Sequence, residues 1–353
     1  MKGRARIAWW VVGPLLMLGA LEGSIRLRVR PDEHVWWEPL LEAGPPVRAL
    51  FVGSSRTDAA IDAAAFDAAL GPAPDGAITV NMGRAYSTVV EQLLGLRNAF
   101  AARPERLRGC VVFVEAPLGL PDASAWDAFR CPPETAHRLA VLMRAEDLGR
   151  LARGGGLEER LGLGLRWALR DSAAVLHQRQ FQRRAIGSFE RAGVDLARSA
   201  GLLAEAANPG SSAAIVGVGI RVDPTGVEGA RALAREEAAR ALEAQARGEV
   251  ALPAWERSVL ASLRELVTSR GGRVVCVDIP LSSVQQAPLL TPAGVRARES
   301  FAAAAAAWGV PIIRAEGVHL DDEDFPDLWH LRASRRAELS RALASAWLAL
   351  KDD

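Results

Sequence analysis

The chain has 353 residues, and 50% of them are hydrophobic, which is ample apolar material for a packed core. Lysine and arginine total 43, aspartate and glutamate total 42, and the formal net charge is +1. With no basic excess to neutralise phosphates, this balance argues against a general nucleic-acid role.

The N-terminus carries the first signal. Lys2, Arg4 and Arg6 precede an apolar run from Ile7 to Leu21, which Glu22 interrupts and Ile25 and Leu27 extend weakly. The run is shorter than the ~20 residues that span a bilayer comfortably. Trp9 and Trp10 stand where an interfacial aromatic belt falls. No small-x-small cleavage site follows, so residues 1–27 are read as an uncleaved, single-pass transmembrane anchor rather than a removed signal peptide. A buried N-terminal helix is the alternative. The short basic tail favours an N-terminus inside, against Arg26, Arg28 and Arg30 on the far side, and so predicts a periplasmic, extracytoplasmic location for the rest. Residues 28–46, broken by Pro31, Pro45 and Pro46, read as a stalk, with Trp36 and Trp37 resting on the membrane surface or on the domain.

A β/α alternation follows over residues 47–121. Val47–Val52 is an apolar run that reads as a buried strand and ends in Gly53-Ser54-Ser55. Ala59–Leu70 has helical spacing of Ile61, Phe66 and Leu70. Ala77–Val80 is a second strand, Thr88–Ala102 a helix, and Cys110–Val114 a third strand. Residues 122–250 break the alternation and are mostly helical in character, with Thr135–Arg153, Leu163–Ile186 and Val227–Arg247 as the helical stretches and Ile215–Val222 a short strand or loop. They are read as an insertion or cap. Gly162-x-Gly164 has no strand before it, so it is a poor dinucleotide-binding signal. Alternation resumes over residues 251–353. Trp255–Arg270 is a helix, Arg273–Ile279 a strand, Pro292–Trp308 a helix, Val310–Ile313 a fifth strand, and Ala333–Leu350 a terminal helix. Strands separated by helices predict a parallel sheet with right-handed crossovers. The order suits an α/β, flavodoxin-like doubly wound sheet, whose sites lie at the carboxyl ends of the strands.

Three cysteines, Cys110, Cys131 and Cys276, form no metal-type spacing, and Cys110 and Cys276 lie in apolar runs that predict buried thiols. Two short segments point to chemistry. Gly53-Ser54-Ser55-Arg56 joins a strand to a helix, which exposes a serine at the carboxyl edge beside the positive end of a helix, where backbone N–H groups hold an oxyanion. Gly and Ser at such a turn also serve simply for turning and capping. Asp327-Leu328-Trp329-His330 lies in the last loop before the terminal helix. Three residues apart, the carboxylate meets imidazole Nδ1 and leaves Nε2 to face a serine. Alone, such a histidine is more often solvated or capping.

Together, and in this order, the segments resemble the SGNH/GDSL hydrolase superfamily. Its first motif is strand-Gly-Asp-Ser, and Ser55 occupies the nucleophile position in a Gly-Ser-Ser-Arg variant similar to that of a membrane-associated branch. Its last motif, Asp-x-x-His, is matched by Asp327 and His330. Its second, Asn-x-Gly-x-x-Gly, is matched by Asn81 and Gly83, with Tyr86 at the last glycine. Its third, Gly-x-Asn-Asp, is absent, and Val114-Glu115-Ala116-Pro117 stands there. The resemblance covers about residues 47–119 and 252–350. It implies Ser55, Asp327 and His330 as catalytic residues, and Ser55, Gly83 and Tyr86 as oxyanion donors. Ser54, Arg56, Asn81 and Glu115 are candidate lining residues. No metal or other cofactor is implied.

Other candidates rank lower. The run Asp321, Asp322, Glu323, Asp324 reads as a solvated loop rather than a metal site. His319 is a fallback base, and His34, His137 and His177 are read as structural. The resemblance implies ester hydrolysis or O-acyl transfer on acylated carbohydrate or cell-envelope glycan through an acyl-Ser55 intermediate, with the membrane and a membrane acyl-transfer protein as partners. The second reading is a catalytically weak or inactive membrane-tethered glycan-binding or assembly module, its oxyanion motifs degenerate.

Overall fold

In a computed structural model of the chain, the structure describes Leu40 and residues 43–84, 87–116, 142–144, 146–147, 224–248 and 258–352. All belong to one compact unit, Trp36–Arg160 with Val222–Asp353. No helix among the described residues is long and apolar enough to cross a membrane, and the expected anchor at 1–27 lies outside them.

Five parallel strands form one sheet in the order β2-β1-β3-β4-β5. They are β1 (Val47–Val52), β2 (Ile78–Asn81), β3 (Val111–Glu115), β4 (Arg273–Val277) and β5 (Ile312–Ile313). The helices are α1 (Ser55–Ala60), α2 (Ala63–Leu70), α3 (Val89–Ala102), α4 (Pro224–Ala246), α5 (Val259–Thr268), α6 (Ser283–Leu290), α7 (Pro292–Ala307) and α8 (Arg336–Asp352). This strand order is the flavodoxin-type one, with a chain reversal between β1 and β3. The central strands are near-continuous apolar runs because both sheet faces are covered.

Alternation along the strands divides the core. Phe51, Phe113, Val275, Val277 and Ile313 pack with Phe66 of α2 and with Leu339, Leu343 and Trp347 of α8. Phe51 stacks on Phe113 with centroids 4.6 Å apart, and Phe66 and Trp347 meet these rings edge-on. Leu50, Val112, Val114 and Cys276 alternate with them, point to the opposite face and are buried too. On α3, Leu94, Leu96 and Phe100 are buried, and α3 packs on α5, which lies on β4. Cys110 and Cys276 are both buried free thiols, and burial pushes each thiol up to about 12.

Two differences from the sequence reading have physical causes. The helix expected over Ala59–Leu70 is two helices. Asp62 ends the first by capping the second, accepting from Ala65 N–H. The freed groups find partners elsewhere: Asp62 N–H donates to Ser340 Oγ at 2.8 Å, and the Asn81 amide donates to the Thr57 and Ile61 carbonyls. Second, α6 was not anticipated. Ser282 caps it, and Pro288 within it hides the periodicity. The described parts of the expected 122–250 insertion, residues 142–144, 146–147 and 224–248, belong to the same compact unit as the sheet. Arg97 of α3 makes a two-pronged pair with Asp147, at 2.8 and 2.7 Å, and α4 packs along α6. The expected helical stretches Thr135–Arg153 and Leu163–Ile186 fall wholly or mostly outside the described residues.

Candidate active site

The site forms where the last loop crosses the sheet. β5 lies at one edge, and α8 packs over one face of the sheet, mainly against α2 and also against α1 and β5. The chain from β5 to α8 brings Asp327 and His330 to the turn after β1, where His330 meets Ser55. Phe325 and Leu331, buried in the core cluster on either side of the pair, pin this loop to the domain.

Ser55 is the first residue of α1, after the N-cap Ser54. His330 Nε2 lies 2.8 Å from Ser55 Oγ, and His330 Nδ1 lies 2.6 Å from Asp327 Oδ2. The other carboxylate oxygen, Oδ1, accepts from Trp329 N–H at 2.9 Å and His330 N–H at 2.8 Å. One carboxylate thus folds the turn and orients the ring together. Burial by itself raises the Asp327 pKa, but the hydrogen bonds from the His330 ring and from the two backbone N–H groups outweigh it and hold the carboxyl below its ordinary range. With Asp327 ionised, Nδ1 carries the shared proton and Nε2 is left as the acceptor for the Ser55 hydroxyl. The tight reversal places Leu328 at φ 64°, the only non-glycine residue with positive φ among those described. Such a conformation costs about 1–3 kcal/mol in a non-glycine residue and persists where surroundings enforce it. Here Leu328 is buried and its carbonyl accepts from Ser282 Oγ at 2.8 Å.

Beneath the turn that bears Ser55, Glu115 collects donors. It accepts from Ser54 N–H and Ser54 Oγ at 2.8 Å, from Thr57 Oγ1 at 2.8 Å, and from the Arg56 guanidinium. Burial alone would raise its pKa. Arg56, then the Ser54 N–H and the Thr57 and Ser54 hydroxyls, outweigh this and hold the carboxyl below its ordinary range. Gly53 has no side chain because a Cβ there would stand 1.9 Å from Thr57 Oγ1 and 2.7 Å from Glu115 Oε2. Arg56 and Glu115 therefore neutralise each other, and Ser54 is an anchor and cap.

Of the three expected oxyanion donors, one is engaged elsewhere. Ser55 N–H has no acceptor among the described residues. The Gly83 N–H is engaged, donating to Asn81 Oδ1 at 2.9 Å. Asn81 is thereby a clamp, with its carbonyl oxygen on the Gly83 turn and its amide on the α1 carbonyls. Tyr86 lies outside the described residues. The loop bearing Gly83 presses so closely on α1 that an added Cβ would lie 2.2 Å from Asp58 N. Backbone cannot yield as a side-chain tip can. Gly83→Ala is expected to cost about 1–3 kcal/mol by overpacking, read as a lower denaturation midpoint in urea.

The acidic run is structural rather than merely solvated. Asp321 caps the short 3₁₀ turn Asp322–Asp324, Asp322 accepts from Ser283 N–H at 2.7 Å, and Asp324 pairs with Arg335. Among the described residues no group of His, Cys, Asp and Glu is arranged to hold a metal ion. His319 gives its carbonyl to Arg335, whereas His330 is the histidine at Ser55. Sequence reasoning missed Ser282 and Arg231, both of which bond to the dyad loop from distant segments. Comparisons with protein-family models, with curated proteins and with solved structures found no match.

Proposed function

We propose that this protein is a serine-dependent ester hydrolase or O-acyltransferase of SGNH type, working through an acyl-Ser55 intermediate. The observation that carries this reading is the continuous relay Ser55 Oγ, His330 Nε2, His330 Nδ1, Asp327 Oδ2, with links of 2.8 and 2.6 Å. Ser55 Oγ attacks the acyl carbonyl carbon as His330 Nε2 takes its proton. The ester C–O bond then breaks, and His330 returns that proton to the leaving alcohol. Water or a second hydroxyl, deprotonated by the same nitrogen, attacks the acyl-enzyme and releases Ser55. Acylated carbohydrate or cell-envelope glycan as substrate, a membrane acyl-transfer partner, and an extracytoplasmic domain anchored by residues 1–27 rest on the sequence resemblance.

One observation favours the second reading, a catalytically weak or inactive membrane-tethered glycan-binding or assembly module. Gly83 N–H is already bonded, and loss of one oxyanion donor typically costs about a hundredfold to a thousandfold in rate. A fluorophosphonate probe and a short-chain aryl ester separate the two. The enzyme reading expects covalent labelling and ester turnover that both disappear in Ser55→Ala. Neither signal in the wild type, with glycan binding intact in both forms, would overturn it in favour of the binding module.

A further inference from the structure

Asp327 is placed by its carboxylate, but the backbone that carries it is held from outside the loop. The carbonyl before it, Pro326 C=O, accepts from Arg231 Nε of α4 at 2.7 Å. One peptide beyond it, between Asp327 and His330, Leu328 C=O accepts from Ser282 Oγ, the N-cap of α6, at 2.8 Å. Rotation of the Pro326–Asp327 peptide would swing Asp327, and rotation of the Leu328–Trp329 peptide would shift the turn that carries the His330 ring. Leu328 needs such a hold, because its left-handed conformation is disfavoured for a leucine. Ser282 is almost wholly buried, so no solvent competes for its hydroxyl. The two gripping elements pack on each other, α4 against α6, and Thr291 Oγ1 donates to Gln245 Oε1 between their ends. The grip is thus one framework, and one arm of it comes from the segment between β3 and β4.

We propose that Arg231 and Ser282 are positioning residues that set the His330 ring against Ser55 by holding the Pro326–Asp327 and Leu328–Trp329 peptides of the turn that bears it. The inference deepens the proposed reaction and rests on it for its effect on rate, though its geometric part stands apart from catalysis. A displacement of about 1 Å in a catalytic group costs on the order of a hundredfold in rate. In the full-length chain, Arg231→Ala and Ser282→Ala are each expected to slow fluorophosphonate labelling of Ser55 and kcat on the aryl ester by about tenfold to a hundredfold, with KM nearly unchanged. Arg231→Lys keeps a donor and is expected to recover much of the rate. Ser282 also caps α6, so its variant is read beside Arg231→Ala, which leaves that cap intact. Because both act on one unit, the double variant is expected to lose less than the product of the single losses.

A second readout needs no activity. In selectively labelled protein, the Nδ1 proton of His330, assigned by its loss in His330→Ala, gives a low-field NMR resonance while it is bonded to Asp327. It is expected to broaden or move upfield in Arg231→Ala and Ser282→Ala and to return in Arg231→Lys. An unchanged resonance in both alanine variants, whatever their labelling rate, overturns the positioning role. A wild type that shows the resonance but takes no label instead overturns the proposed reaction and leaves the grip to be decided by the resonance alone.

Discussion

Asp327→Asn is expected to lower the rate of Ser55 acylation by about ten-thousandfold while leaving the fold intact. The asparagine Oδ1 can still accept from the Trp329 and His330 N–H groups, as the aspartate does at 2.9 and 2.8 Å. The loss falls on the other oxygen. Oδ2 takes the Nδ1 proton at 2.6 Å, and an amide nitrogen in its place donates instead of accepting. Nδ1 must then be the unprotonated nitrogen, the proton moves to Nε2, and the nitrogen facing Ser55 at 2.8 Å can no longer take the hydroxyl proton. The signature is a large fall in kcat with little change in KM, measured on an aryl ester. Asp327 is held below the ordinary carboxylate range, so it stays ionised as pH falls from neutrality and the acid limb of the wild-type profile does not report its protonation. A variant with kcat within tenfold of wild type would remove Asp327 from the reaction.

Much of this arrangement was legible in the sequence, and for local reasons. β1, β3 and β4 are short, mostly apolar and buried runs, and β1 and β3 end where Gly53 and Glu115 change the chemistry. Asp327 and His330 are three apart, so their contact needs one turn and no distant partner. What stayed hidden depends on contacts across long separations. The break between α1 and α2 is stabilised by Asn81 and Ser340, neither adjacent in sequence. Glu115 was legible as a candidate lining residue, but not as the acceptor beneath the turn, because its partners Ser54, Arg56 and Thr57 lie some sixty positions earlier. Gly83 looked like a free donor because nothing in the spacing Asn81-x-Gly83 says that the asparagine side chain turns back onto it. Side-chain-to-backbone bonds between segments carry no periodicity, and periodicity is what a sequence displays most plainly.

The substitution with the largest expected effect on stability is Glu115→Ala. Its carboxylate lies against Arg56, with side chains 9% and 15% exposed respectively. Removing one partner of such a pair leaves the other charge without compensation, which costs about 3–5 kcal/mol. Here it also strands the Ser54 N–H and the Ser54 and Thr57 hydroxyls at once. Glu115→Gln keeps the volume and one acceptor oxygen but loses the charge, so it is expected to fall between wild type and alanine. A cycle with Arg56→Ala separates pairing from packing, and the double variant should be less destabilised than the sum of the singles. The pH dependence gives a further check, with a definite sign. The folded-state pKa of Glu115 is depressed, so between that value and the unfolded one the unfolded chain binds more protons. The carboxylate's contribution is therefore fully present above the ordinary carboxylate value of 4.5 and is lost as pH falls through the lower folded value. Urea denaturation at a series of acidic pH values should show a shallower loss of stability in Glu115→Gln than in the wild type. Equal slopes would mean that Glu115 enters the fold as a neutral acid, and the Arg56 pair would then not be what holds the turn that bears Ser55.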